Sequence, residues 1–256
     1  MAEIDINSVS KEFNTSRKRT VALNETTLRV EDRETVCIVG PSGCGKTTLL
    51  NLIAGFISPT EGTISVGGRV VKGPGPDRAV VFQADAVFPW LTVRGNVEYG
   101  LKVQNRPAAE RASRVDHYLE LVGLTEFAGA FPKELSGGMR KRVDLARAYA
   151  SGPEVLLLDE PFGALDVFTK ESMWLALNRV VAAEPKTIVF VTHDIEEALF
   201  IGDRVVVMSP RPARVHSIVE LPFGAERDIE IRASAEFQQI RNEIAHVLRD
   251  VHDDAA

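Results

Sequence analysis

Gly40-Pro41-Ser42-Gly43-Cys44-Gly45-Lys46-Thr47 is the stretch on which the fold turns. Its glycines, lysine and hydroxyl stand at the spacing of a phosphate-binding loop. Gly43 and Gly45 allow successive backbone N–H groups to turn inward with no side chain between them and an anion. A helix starting near Lys46 points its positive dipole end at the same place. Lys46 supplies a point charge between β- and γ-phosphates, and Thr47 offers a hydroxyl to Mg2+. Pro41, Ser42, Cys44 and Thr48 complete this set of candidate nucleotide-binding positions with Gly40.

The flanks fit. Thr35–Val39 is an apolar run leading in, and Leu49, Leu50 and Ile53 lie on the helix leading out. Further runs recur at 79–82, 155–158, 187–191 and 205–208. They are rich in Val, Ile and Leu with little alternation, as strands covered on both faces of a mostly parallel sheet should be. Helical spacing separates them, as in Met139, Val143, Ala146 and Ala150, and again in Met173, Leu177, Val180 and Val181. Strand alternating with helix predicts an α/β fold with a P-loop core. Ile4, Ile6 and Val9, followed by runs at 21–23 and 26–30, predict a small flanking antiparallel sheet with half-exposed strands. Between Thr92 and Ala150 the strand signal vanishes, while Ala112, Val115, Leu119 and Val122 mark a helix, so a helical insertion is expected. Phe237, Ile240, Ile244, Leu248 and Val251 form the apolar stripe of a C-terminal helix, expected to pack on the main body.

Composition narrows the class. Of 256 residues, 45% are hydrophobic and 26% charged, which predicts a packed core rather than disorder. A net charge of −6 argues against a nucleic-acid partner, since phosphate backbones favour basic surfaces. Cys37 and Cys44 form no metal-ligand or disulfide pattern and read as reduced thiols. No run approaches the ~20 apolar residues of a membrane span, and the N-terminus, with Glu3 and Asp5, lacks a basic-then-apolar signal pattern. Any membrane association is expected to come through a partner.

Two acids end the run at 155–158, Asp159 and Glu160. Ligands of parallel α/β sheets gather at the carboxyl ends of strands. Asp159 is therefore the candidate partner of Mg2+, and Glu160 the candidate for polarising an attacking water. His193 follows another strand and is expected on the same edge, within reach of the γ-phosphate. Histidines 117, 216, 246 and 252 have no such setting.

Leu135-Ser136-Gly137-Gly138-Met139 precedes a helix and offers a second anion-binding concavity. This segment, with the phosphate loop and the acids in order along the chain, resembles the ATP-binding-cassette (ABC) ATPases and their LSGGQ signature. The resemblance implies a cassette domain over residues 4–235, with a helical subdomain inserted at about 88–150, and a C-terminal amphipathic helix and tail at 236–256. It implies a head-to-tail dimer in which Ser136, Gly137 and Gly138 of one copy cap the ATP held by the other's P-loop. It also implies that Gln83 senses Mg2+, that Asp166 of Ala164-Leu165-Asp166 lies at the dimer seam, that His193 is a switch histidine, and that Phe13 stacks on adenine. Catalysis then falls to Glu160, His193 and Lys46, and the metal to Thr47, Gln83 and Asp159.

Two positions depart from the family pattern. Met139 replaces the usual signature glutamine, and Glu34 stands where many members have glycine. Gly75-Pro-Asp-Arg78, Phe88-Pro-Trp-Leu-Thr-Val93, Pro161-Phe-Gly-Ala-Leu-Asp166 and Met208-Ser-Pro-Arg-Pro212 are similar to the nitrate, sulfonate and taurine group of bacterial importers. That group implies integral-membrane permease subunits, a periplasmic or extracellular solute-binding protein, and a location on the cytoplasmic face of the inner membrane. Phe88, Trp90 and Leu91 are expected to form an apolar patch for a permease helix. The alternative of a repair or translation ATPase lacks its coiled-coil insertion or second cassette, and a GTPase would need an Asn-Lys-x-Asp segment.

Overall fold

A computed structural model describes residues 2–14, 19–224 and 227–253 of the chain; the last residues of the expected C-terminal tail, 254–256, lie outside them. The elements run β1 (Ile4–Asn14), β2 (Arg19–Val30), β3 (Thr35–Val39), α1 (Lys46–Ala54), β4 (Glu61–Val66), β5 (Arg69–Val70), β6 (Arg78–Val81), α2 (Val93–Val103), α3 (Ala108–Leu121) and α4 (Gly137–Ala150). They continue with β7 (Val155–Asp159), α5 (Val167–Ala183), β8 (Thr187–Val191), α6 (Ile195–Ile201), β9 (Arg204–Met208), β10 (Val215–Glu220) and α7 (Ala235–Asp253).

The central sheet has the order β10-β9-β3-β8-β7-β6. Every neighbouring pair is parallel except β9 with β10. Its inner strands have no solvent face, so both sides of each must be apolar. Cys37, Val39, Leu156, Leu158, Ile188, Phe190, Val205 and Val207 point into one core. Val36, Ile38, Val155, Leu157, Val189, Val191 and Val206 point into the other. Burying each such side chain contributes about 1.5–3 kcal/mol. The first core joins α2 to α7, and the second joins α1 to β1, β2 and β4.

The smaller sheet, β2-β1-β4-β5, is antiparallel. Its strands are half-exposed, as expected: Ile4, Ile6 and Val9 are shielded from solvent while Asn7, Ser8 and Asn14 face it. A register shift between Ile6 and Val9, with Ser8 at φ 44°, resets the alternation so that Val9 turns inward. The run at 79–82 ends earlier than expected. Val81 pairs with Leu158, but Phe82 leaves the strand exposed, because its carbonyl accepts from Lys141 Nζ rather than from the sheet. Glu34 is accommodated without positive φ, which falls on Arg33 (64°). The Glu34 carboxylate instead accepts from Arg204 Nη2 at 2.9 Å, fastening the turn before β3 to β9.

Helices α2, α3 and α4 pack together as the helical part of the chain, with Val93, Val97, Leu101, Val115, Leu119 and Val143 inside. Helix α7 lays Phe237 and Ile244 on the first core, Val251 is buried near its end, and the Phe237 ring lies 5.6 Å from that of Phe223. Among the described residues no helix is long and apolar enough to cross a membrane.

Candidate nucleotide site

Parallel register brings the carboxyl ends of β6, β3, β7, β8 and β9 to one edge. Val81 stands beside Leu158, Asp159 beside Val191, Ile38 beside Val191, and Val39 beside Val207. The phosphate loop, Asp159-Glu160, His193 and Gln83 each follow one of these ends.

The loop wraps the start of α1. Thr92, Ser136, Asp166 and Asp194 cap α2, α4, α5 and α6 with side-chain oxygens, whereas Gly45 at φ 130° gives α1 no side-chain cap. Its first N–H groups are left for an external anion. Lys46 is buried, and its Nζ donates to the carbonyls of Gly40 (2.9 Å) and Pro41 (3.2 Å), which centres the ammonium in the loop. Ser42, Gly43 and Thr47 face solvent, and Thr48 is half-buried. The Cys44 side chain turns into the second core, so only its backbone can face a ligand. Gly40 answers to packing: a Cβ there would stand 3.0 Å from the Met208 carbonyl and 3.1 Å from Cys44 Sγ.

Thr47 Oγ1 donates to Asp159 Oδ1 at 3.0 Å, tying the loop to the end of β7. Burial raises the Asp159 carboxyl above the usual aspartate range; the Thr47 hydrogen bond opposes this, and the Glu160 charge adds to it. Glu160 is at φ 45°, a conformation costing about 1–3 kcal/mol in a non-glycine residue. Its N–H is held by the Val191 carbonyl at 2.8 Å, and its Oε2 lies 3.0 Å from His193 Nδ1. With the proton on Nδ1, His193 donates to Glu160. Gly163 stands between: Gln83 Nε2, Glu160 O and His193 Cε1 are each 3.6 Å from where its Cβ would be.

His193 has a buried support. Glu197 on α6 accepts from Trp174 Nε1 at 3.0 Å and from the hydroxyl of Thr192, the residue before the histidine. Burial raises the Glu197 carboxyl, while these two hydrogen bonds pull it down.

A larger support was hidden in the sequence. Four charged side chains of α4 grip the segment after β6. Lys141 Nζ donates to the carbonyls of Phe82 (2.9 Å) and Gln83 (2.7 Å). Asp144 Oδ2 accepts from Ala86 N–H at 3.1 Å, Arg147 donates to Ala86 O at 2.6 Å, and Arg140 donates to Asp85 at 2.7 Å. Lys141 and Asp144 are buried. Burial lowers the Lys141 ammonium below the usual lysine range, and Asp144 and Asp85 draw it back up. Read along the helix, these residues look like a solvated face; the only hint was their density just past Gly138.

The signature segment opens α4. Ser136 accepts from Met139 N–H at 3.2 Å. A Cβ on Gly138 would strike Thr169 Cγ2 at 2.4 Å, and one on Gly137 would lie 3.8 Å from Leu165 Cδ2. Asp166 caps α5 through Thr169 N–H (3.1 Å) and Thr169 Oγ1 (2.6 Å). These contacts of the signature run to α4 and α5 rather than to the phosphate loop. Phe13 stands apart on β1, 40% exposed, with Lys11 Nζ 5.3 Å from its ring centre. Trp90 is 70% exposed beside Phe88 (5.5 Å between rings), which also meets Tyr99 and Arg147. Leu91 is half-buried.

Comparison with known proteins agrees with this geometry. The ABC transporter family matches residues 23–163. The taurine import ATP-binding protein TauB of Rhizobium johnstonii is 49% identical over 243 residues, 92% of each chain. TauB of Jannaschia sp. is 41% identical over 99% of this chain and 97% of its own. Among solved structures, the dimeric bacterial ABC transporter cassette MJ0796 superposes with a TM-score of 0.75 at 33% identity, covering 86% of this chain and all of its own. A second structure of that cassette, in a post-hydrolysis state bound to ADP and Pi, gives 0.73 at 31%. With a phosphate loop, two acids and a histidine on one sheet edge, and these relatives over nearly its whole length, the chain belongs to the ABC transporter family.

Proposed function

We propose that the chain is the ATP-hydrolysing subunit of an ABC importer for a small solute of the taurine and sulfonate class. The observation that carries the hydrolytic part is the alignment of Lys46, the Thr47–Asp159 pair and the Glu160–His193 pair on one sheet edge. The solute class is supported by the taurine import relatives.

The phosphates of ATP lie in the loop from Gly40 to Thr48, with adenine on the exposed ring of Phe13. Glu160 takes the proton of the attacking water, and His193 holds that carboxylate in position while reaching toward the γ-phosphate. Lys46 balances charge between β- and γ-phosphates. Thr47 Oγ1 and Asp159 Oδ1 form a hard-oxygen pair suited to Mg2+, with the Gln83 amide as the third group. Bound there, Mg2+ would neutralise phosphate charge.

Ser136, Gly137 and Gly138 have no role at their own loop, so the site is completed by a second copy. Asp166 follows the signature to the seam. The dimeric state of the MJ0796 cassette supports this arrangement. Permease subunits dock at Trp90, Phe88 and Leu91, and a solute-binding protein acts through them, placing the chain on the cytoplasmic face of the inner membrane. Closure of the dimer on ATP drives the permease, and hydrolysis resets it. Nucleic acid is not a partner.

Glu160→Gln tests the reading. It keeps the size of the side chain and removes the base, so hydrolysis should fall by about 10²–10³ or more, while ATP affinity stays and ATP-dependent dimers accumulate. Near-normal turnover in this variant would remove Glu160 from the base role.

A further inference from the structure

The end of β9 and the turn that follows it, Met208 to Arg214, take no part in the chemistry above, yet they approach the phosphate loop at Gly40, Gly43 and Gly45. Met208 Cβ stands 3.1 Å from where a Cβ on Gly40 would be, and Ala213 Cβ 3.7 Å from that of Gly45. Between them Arg211 Nε donates to the carbonyl of Gly43, and its Nη2 sits 3.4 Å from the Cβ position of that glycine. The turn is itself anchored. Ala213 N–H donates to Ala22 O at 3.0 Å, and Asn24 N–H to Ala213 O at 2.9 Å, tying it to β2. Ser209 closes it, its N–H donating to Arg214 O at 3.0 Å and its Oγ accepting from Arg214 N–H at 3.0 Å.

Gly43 has φ +72° and no side chain to hold its peptide plane. In a planar trans peptide the carbonyl and the next N–H point in opposite directions. With the Gly43 carbonyl held outward by Arg211, the Cys44 N–H faces into the loop, where it donates to Pro41 O at 3.2 Å. Pro41 O is the same acceptor that holds Lys46 Nζ. Rotating this one peptide would turn a carbonyl dipole toward the phosphates. The bond from Arg211 goes to a main-chain carbonyl rather than to a carboxylate, so it leaves the guanidinium charge in place beside an anion cradle.

We infer that Arg211 is a positioning residue for ATP binding: it staples the Gly43–Cys44 peptide in the anion-accepting orientation and adds a cation at the rim of the loop. The inference rests on the reading of residues 40–47 as the ATP cradle.

The test measures Mg·ATP affinity of the full chain calorimetrically, with steady-state hydrolysis at a chain concentration that supports turnover. Arg211→Ala should weaken ATP binding by about tenfold, through the freed Gly43–Cys44 peptide and the cation lost from the rim of the loop. KM should rise by a similar factor while kcat stays within about twofold, the mark of binding lost equally from ground and transition states. The nucleotide-free thermal midpoint should move by less than about 2 °C. Arg211→Lys, which keeps both a donor and a cation, should recover most of the affinity. An Arg211→Ala chain with wild-type affinity and KM would overturn the inference. So would a loss that Lys fails to rescue and that comes with a large fall in thermal midpoint, since the residue would then serve only to hold the hairpin. A wild-type chain without affinity for ATP would instead remove the cradle reading, and this inference with it.

Discussion

Lys141→Met removes the buried ammonium that fastens the Gln83 segment to α4. Met keeps the length of the stem, so packing changes little. The Phe82 and Gln83 carbonyls lose a donor at 2.9 and 2.7 Å, and the carboxylates of Asp85 (3.6 Å) and Asp144 (4.0 Å) lose a neighbouring cation. Each hydrogen bond to a charged group is worth about 1.5–3 kcal/mol, and removing one partner of a buried charged network costs about 3–5 kcal/mol. Against this, the variant no longer carries the desolvation cost of the ammonium. Asp144 also keeps Arg147 at 2.8 Å and Ala86 N–H at 3.1 Å. A net loss of about 3 kcal/mol follows, which for a chain of this size lowers the thermal midpoint by about 6–12 °C. The loosened segment should be 82–88, seen as faster amide hydrogen exchange there than in β7 or β8. Lys46, Thr47 and Asp159 are untouched, so ATP affinity should persist while hydrolysis falls. A thermal midpoint within about 2 °C of wild type, with unchanged exchange at 82–88, would refute the claim that Lys141 anchors the segment.

Asp159→Asn should stabilise the nucleotide-free fold at pH 7 while ending Mg2+-dependent turnover, because the amide still accepts from Thr47 without a desolvated charge. The folded Asp159 carboxyl titrates above its unfolded value, so the native state takes up the proton first. The wild type should therefore approach the variant in stability as pH falls through that raised value, and separate from it as pH rises; parallel thermal scans against pH check this. Gly138→Ala places a Cβ against Thr169 Cγ2, and Asp166 holds that side chain in place. It should cost about 1–3 kcal/mol and impair hydrolysis with ATP affinity retained, and adding Thr169→Ser should restore both stability and turnover. Glu197→Ala leaves Trp174 Nε1 and Thr192 Oγ1 without their buried acceptor. A loss of about 2–4 kcal/mol is expected, with a change in Trp174 emission and a lower kcat through the neighbouring His193.

What was legible in the sequence was whatever short stretches of chain decide. Residues 35–39, 155–158, 187–191 and 205–208 read as buried strands because each is a five- or four-residue apolar run with no polar alternation, and a covered parallel sheet leaves such runs no other environment. The loop from Gly40 to Thr47 could be proposed as a phosphate cradle because the glycines, lysine and threonine such a site needs stand close together in sequence. Asp159, Glu160 and His193 could be placed on its edge because parallel strands put all their carboxyl ends on one side. Tertiary structure alone decided the rest. Lys141 meets Gln83 across 58 residues and Arg211 meets Gly43 across 168, and neither separation leaves a local pattern. Charges at 140, 141, 144 and 147 look like a solvated helix face until the fold lays a strand end against them. Gly40, counted with the phosphate glycines, proved to be small because β9 passes over it. The bulge at Ser8, which turns Val9 inward, follows from pairing with β2 and β4 rather than from its own alternation. Periodicity and motif spacing record what a residue's sequence neighbours require of it; which distant surface it must hold, or make room for, is set only when the layers pack.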